Sequence, residues 1–256
     1  MIKNIFILFK IGRVLSKSNT LNYFDKIYKI PFFLKIFIKI LGFSISKPKY
    51  TNDVPVGERL SSALKELGPT FIKLGQFLGT RPDIVGVNLA KELQKLQDTL
   101  PPYDLYLAKD AIKEELGEEN YKKIKKLSSP IAAASIAQVH FAEIVIENNQ
   151  TKEVAVKVLR PNIEKIFNQE LEALMLFASI VETLAPKTQR LKLIEVVHLL
   201  KEITAIEMDL RFEAAAANEL KNNTKKDKNF IVPEIFWDYT SKRVLTSERV
   251  NGIPIK

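Results

Sequence analysis

Ile131-Ala132-Ala133-Ala134-Ser135-Ile136-Ala137-Gln138-Val139-His140, followed by Glu153-Val154-Ala155-Val156-Lys157-Val158-Leu159, is the stretch on which the fold turns. Its second segment alternates, so Val154, Val156 and Val158 share one face of a strand and Ala155 and Lys157 the other. Residues 136–146, rich in β-branched side chains, read as the strand before it, and Glu147-Asn148-Asn149-Gln150-Thr151 as the polar turn between. Pro161 ends the lysine-bearing strand and starts a helix over 162–184. A second long helix is expected over 190–222. Two more strands follow near 230–237 and 243–249, separated by Asp238-Tyr239-Thr240-Ser241-Lys242.

Upstream of the alanine-rich segment the pattern is helical: 58–67, 69–80 restarting at Pro69, 86–98, 105–116 and 119–126. Asp104, after the Pro101-Pro102 break, is the expected N-cap of the fourth of these. Helices, three strands, two helices and two strands make an α+β fold with an antiparallel sheet, not a doubly wound one. Residues 44–57 read as a linker. The expected organisation is a basic amphipathic segment over 1–50, a helical extension over 51–126 and a sheet-bearing domain over 127–256.

Charge divides the chain unevenly. Residues 1–50 carry nine Lys and one Arg against the single acid Asp25, a net +9, while the remaining 29 basic and 29 acidic side chains cancel. The basic fifth is also apolar, with Ile5-Phe6-Ile7-Leu8-Phe9 and a short helix expected from Pro31 to Gly42. No run there reaches the ~18 apolar residues of a spanning helix. Such segments can lie in a lipid interface with Lys on anionic head groups, or can pack as core helices with Lys in water. The basic residues are nearly all Lys, point charges that suit a diffuse phosphate surface, and no basic patch interleaved with aromatics marks a nucleic-acid site.

Several chemistries are excluded by composition. There is no cysteine, hence no disulfide, thiolate metal site or cysteine nucleophile. The two histidines, His140 and His198, are read as packing or hydrogen-bonding residues, and no metal site is expected. All nine glycines avoid residues 118–251, so neither a Walker P-loop nor a dinucleotide fingerprint is present.

A turn between two strands, then a strand carrying V-A-V-K, is the layout of a protein-kinase N-lobe. There the turn covers the nucleotide phosphates, and the Lys reaches them while a helix Glu holds it. V-A-V-K alone would equally describe an outward lysine on an apolar strand. The turn has Ala where Gly is usual, which keeps a methyl between backbone and phosphate, so its geometry is expected to differ.

Three features together resemble the UbiB family of atypical kinase-like proteins, linked to ubiquinone biosynthesis. They are Lys73-Leu74-Gly75-Gln76, a K-x-G-Q motif, within residues 67–81; the alanine-rich segment 132–140; and Glu207-Met208-Asp209 followed by Glu213-Ala214-Ala215-Ala216-Ala217-Asn218. With Lys157 they span about residues 55–256 in the family's order. The resemblance implies a kinase-like N-lobe with a five-stranded antiparallel sheet behind a helical extension. It implies ATP or ADP as the ligand, met by Ile131, Ala132, Ala133, Ala134, Ser135, Ile136, Ala137, Gln138, Val139 and Lys157. Glu213 would pair with Lys157. Lys73 and Gln76 would lie on a lid over the pocket, with Glu207 holding Lys73 and Asp209 in the same motif. By spacing, Lys73 and Gln76 share a helix face, and Glu207 and Glu213 on one helix would diverge by roughly 120°.

Neither an Asp-Phe-Gly nor a catalytic-loop pattern is visible. The C-lobe is therefore expected to be absent from this chain, which would hold no catalytic residue and bind Mg only if a C-lobe is supplied. The resemblance further implies an ATP-dependent accessory factor, inactive in this truncated form, peripheral on the cytoplasmic face of the inner membrane. Its partners would be an anionic membrane surface and isoprenoid lipid intermediates or ubiquinone-synthesis enzymes, not nucleic acid. The competing reading is a non-catalytic membrane-surface lipid-binding or scaffold protein.

Overall fold

The computed structural model describes residues 2–20, 49–51, 53–96, 100–184 and 186–252. The helix expected from Pro31 to Gly42 and residues 44–48 of the expected linker lie outside them. The chain forms two compact units, one of Met1–Asp98 with Glu164–Ile203, the other of Thr99–Ile163 with Thr204–Lys256.

The first unit is helical. It holds α1 (Ile2–Lys17), α2 (Val56–Leu67), α3 (Pro69–Gly79), α4 (Pro82–Val85) and α5 (Val87–Gln94). Gly68, with φ 120°, separates α2 from α3, and Pro69 opens α3 at a position where its missing N–H costs nothing. Most of α7 (Ile163–Leu184) and the start of α8 (Leu193–Glu207) complete the unit. Leu8 of α1 packs on Ala173 of α7, with Ile7, Ile11, Leu176 and Phe177 around them. Lys10 Nζ donates to the Leu67 carbonyl at the end of α2.

The second unit is built on a sheet. α6 (Leu105–Lys123) begins at Asp104, whose side chain accepts from the Tyr106 N–H, and is interrupted at Gly117, where φ is 77°. β1 (Ile124–Lys125) and β2 (Pro130–Ala133) pair end to end along one edge of β3 (Ala137–Val145). β4 (Thr151–Leu159) lies on the other side of β3, and β5 (Val244–Glu248) beyond β4. All pairings are antiparallel, which gives five strands in one sheet. Val154, Val156 and Val158 are fully buried and pack with Ala142, Ile144 and Val244, with Ala111 and Ile112 of α6, and with Tyr239. The alternation of β4 therefore sets which face becomes core.

Two expected elements differ. The strand expected over 230–237 shrinks to one bridge, Ile235 to Ser247, before a 3-10 turn at Trp237–Tyr239. Pro233 has no N–H for a ladder, and the short segment 124–125 takes the fifth place in the sheet instead. The helix expected over 190–222 is two helices, α8 and α9 (Leu210–Asn223). Asp209 breaks it: its backbone is extended, and its side chain caps α9 by accepting from the Arg211 N–H. Glu207 and Glu213 thus sit on different helices, and the angle inferred for a single helix does not apply.

Candidate nucleotide site on the sheet

Lys157 lies toward the C-terminal end of β4, opposite Val139 on β3 and Leu245 on β5. Because Val156 and Val158 take the core face, Lys157 must project from the other one. Its Nζ donates to both carboxylate oxygens of Glu213 on α9, at 3.0 and 2.7 Å. The side chains keep 30% and 52% exposure, so the amino group is paired but open to a ligand.

The alanine-rich segment forms the β2–β3 hairpin. Its turn is closed by the Ala134 N–H bonding the Ala137 carbonyl at 2.8 Å. No residue from 130 to 140 has a positive φ, so alanine meets no backbone strain where other loops need glycine. Within the segment Ile131 and Ala132 are exposed, Ala133, Ala134 and Val139 half-buried, and Ser135, Ile136, Ala137 and Gln138 buried.

Gln138 is committed elsewhere. Its Oε1 accepts from the Tyr103 N–H at 3.0 Å, and its Nε2 donates to the Tyr103 carbonyl and to His140 Nε2. His140 Nδ1 in turn donates to the Ser128 carbonyl at 2.8 Å. These bonds describe a neutral imidazole, and burial pushes its pKa below the usual histidine value. The pair is thus a polar strip inside the core, pointing away from the face that carries Lys157.

Sequence reasoning missed Arg160 and Tyr103. Arg160 follows β4; its N–H bonds the Ile136 carbonyl, and its Nε and Nη2 both reach the Ala134 carbonyl. The guanidinium lies over the Tyr103 ring, 5.6 Å from its centroid. Burial raises the Tyr103 hydroxyl to about 12, and it donates to the Val158 and Leu159 carbonyls. The available signals were Arg160 beside Pro161 at a strand end and an aromatic after the Pro101-Pro102 break.

The K-x-G-Q residues lie on α3 in the first unit. Gln76 Nε2 approaches the Leu96 carbonyl at 3.4 Å, and Lys73 is half-buried. Gly75 is the tightest glycine of α3: a β-carbon there would stand 2.6 Å from both Leu64 Cδ1 and Leu96 Cδ2. Glu207 closes α8 and Asp209 caps α9, both in the second unit. The Arg211 guanidinium on its carboxylate holds Asp209 below the usual aspartate range. Among the described residues no group of three or more His, Asp and Glu is placed to hold a metal ion, and no helix is long and apolar enough to cross a membrane.

The profile of the ABC1 atypical kinase-like domain matches residues 95–256. The chain belongs to this family. It is 39% identical over 250 residues to a probable protein kinase UbiB of Marinobacter nauticus, covering 97% of this chain and 44% of that one. It is 36% identical over 237 residues to the probable protein kinase UbiB of Pseudomonas paraeruginosa (90% and 43% covered). With that of Azotobacter vinelandii it shares 38% over 209 residues (81% and 38% covered). The chain is therefore a UbiB-like member of the atypical kinase family, and it spans less than half the length of the curated relatives it matches.

Proposed function

We propose that the chain contributes the nucleotide-binding N-lobe and the K-x-G-Q helix of a UbiB-type ATPase or kinase that acts as an accessory factor in ubiquinone biosynthesis. The observation that carries this reading is the Lys157–Glu213 ion pair on the open face of the sheet, beside an alanine hairpin free of strained backbone. In a kinase-type site a strand lysine held by a helix glutamate presents its charge to the nucleotide phosphates. Bound ATP would supply the transferable γ-phosphoryl group. This chain's own part is to hold it: Lys157 neutralises phosphate charge, Glu213 fixes the lysine's direction, and the backbone of residues 131–137 covers the phosphates. Magnesium and catalytic groups belong to a C-lobe in this reading. In the same reading Lys73 and Gln76 of the K-x-G-Q helix serve to exclude a protein substrate.

The same reading places the protein peripherally on an anionic membrane, at the cytoplasmic face of the inner membrane, where its partners are isoprenoid intermediates or ubiquinone-synthesis enzymes. α1 supports it with exposed Phe6, Ile5 and Phe9 alongside Lys3, Lys10, Arg13 and Lys17 and no acidic residue.

The test is a thermal melt of the chain with ATP or ADP, with and without Mg²⁺. The expected result is a nucleotide-dependent rise in Tm that disappears in Lys157→Ala. A wild-type chain that ignores nucleotide yet co-sediments with anionic liposomes would leave the non-catalytic lipid-binding or scaffold reading in its place.

A further inference from the structure

We propose that Arg160 is a positioning residue that clamps the alanine-rich turn in its nucleotide-receiving shape, so that the turn is preorganised and does not close on its ligand. The inference rests on the nucleotide reading and adds a residue and a physical behaviour to it.

A two-residue turn such as Ser135-Ile136 leaves its flanking backbone groups in need of partners. Here the turn's own backbone bond runs from the Ala134 N–H to the Ala137 carbonyl at 2.8 Å. The Ala134 carbonyl is taken by a side chain: Arg160 Nε lies at 3.1 Å and Nη2 at 2.9 Å. The same Nη2 also donates to the Pro101 carbonyl at 2.9 Å. On the far side of the turn, the Arg160 N–H holds the Ile136 carbonyl at 2.8 Å. One residue therefore grips the turn on both flanks, through its backbone and its guanidinium.

Arg160 is itself held. Its guanidinium rests on the Tyr103 ring, and the Tyr103 hydroxyl is bonded to the last two carbonyls of β4. Arg243 Nη2 donates to the Arg160 carbonyl, while the Leu159 N–H bonds the Arg243 carbonyl. Only a planar fork can reach one carbonyl with two N–H groups and a second carbonyl with one of them; an ammonium has neither the reach nor the plane. Arg160 is three residues beyond Lys157, so the clamp also links the position of the turn to the strand that carries the phosphate-facing amine.

Glycine turns over phosphates keep conformational freedom that binding must remove. The alanine turn, pinned at Ala134 and Ile136, has little to lose, and a ligand meets a site already in shape.

The experiment is native-state hydrogen exchange with nucleotide melts on wild type and Arg160→Lys. The clamp predicts that the Ala134 and Arg160 amides, which close and hold the turn, exchange about tenfold or more faster in Arg160→Lys, while amides in the middle of β3 and β4 are unchanged. It also predicts a smaller nucleotide-dependent Tm rise with little change in the nucleotide-free Tm. A purely structural arginine would lower that Tm and loosen the whole sheet together. Should Arg160→Lys not fold, Tyr103→Leu removes the ring that orients the guanidinium and is expected to loosen the same two amides. Unchanged exchange at the turn overturns the proposal, as does full nucleotide response with a loosened turn. A wild-type chain without any nucleotide response sinks the nucleotide reading and the positioning role with it, while the exchange data still decide whether Arg160 holds the turn.

Discussion

Lys157 and Glu213, 56 residues apart in the chain, meet in a two-pronged ion pair: one lysine nitrogen stands 3.0 and 2.7 Å from the two carboxylate oxygens. Both side chains remain partly in water, so solvent screens the pair and it contributes under ~1 kcal/mol to stability. The expected outcome is that Lys157→Ala and Glu213→Gln leave the urea midpoint of the unliganded chain nearly unchanged. Nucleotide binding is expected to fall far more in Lys157→Ala than in Glu213→Gln, because only the lysine carries the charge the phosphates need. Equal losses in the two variants would speak against that division of roles.

Gly75 is where α3 comes closest to its neighbours. A methyl group there would press on Leu64 Cδ1 and Leu96 Cδ2 at 2.6 Å, and both leucines are buried. Gly75→Ala is expected to cost ~1–3 kcal/mol by overpacking, read from chemical denaturation. Leu96→Ala combined with Gly75→Ala should recover part of that loss, since it removes one of the two clashing methyls.

His140 makes the second unit sensitive to acid. Burial lowers its folded pKa below the ordinary histidine value, opposed in part by the Ser128 carbonyl. Its contribution is therefore complete above the unfolded value and is lost as pH falls through the folded one. Unfolding free energy is expected to fall as pH drops below the ordinary histidine value of 6.5, and that slope should flatten in His140→Leu, whatever the variant's absolute stability. An NMR titration in which the imidazole protonates above the usual histidine value would contradict this.

Glu170, on α7, is the reverse case. Burial raises its carboxyl pKa, and Thr70 and the charge on Lys10 only partly offset that. A folded pKa above the unfolded one means stability is lost as pH rises through the folded value. Glu170→Gln keeps the shape, removes the buried charge and is expected to raise Tm at neutral pH. The difference from wild type should vanish at low pH, where both side chains are neutral.

Much of the fold was legible because it rests on local pattern. The period-two run of β4 named its buried face, Asp104 and Pro69 announced helix starts, and the polar run after Ile146 marked the hairpin. The site was legible only in part. Lys157 and Glu213 stood out by family resemblance, whereas nothing in the sequence announced that the Gln138 amide is bonded to Tyr103 and His140. Gln138 falls on the core face of β3 in register with Val158, and the partners of a buried polar side chain become known only once the chain has folded.

The sequence by itself determined that helices precede an antiparallel sheet, the face on which β4 buries its valines and the charge gathered in the first fifth of the chain. Each follows from neighbours a few residues away. Tertiary structure alone decided that Asp209 caps a new helix, that residues 230–237 keep one bridge while 124–125 joins the sheet, and that Arg160 grips a turn 26 residues upstream. In each of these a backbone group found its partner, a choice made among donors and acceptors brought together only by folding and therefore invisible to periodicity.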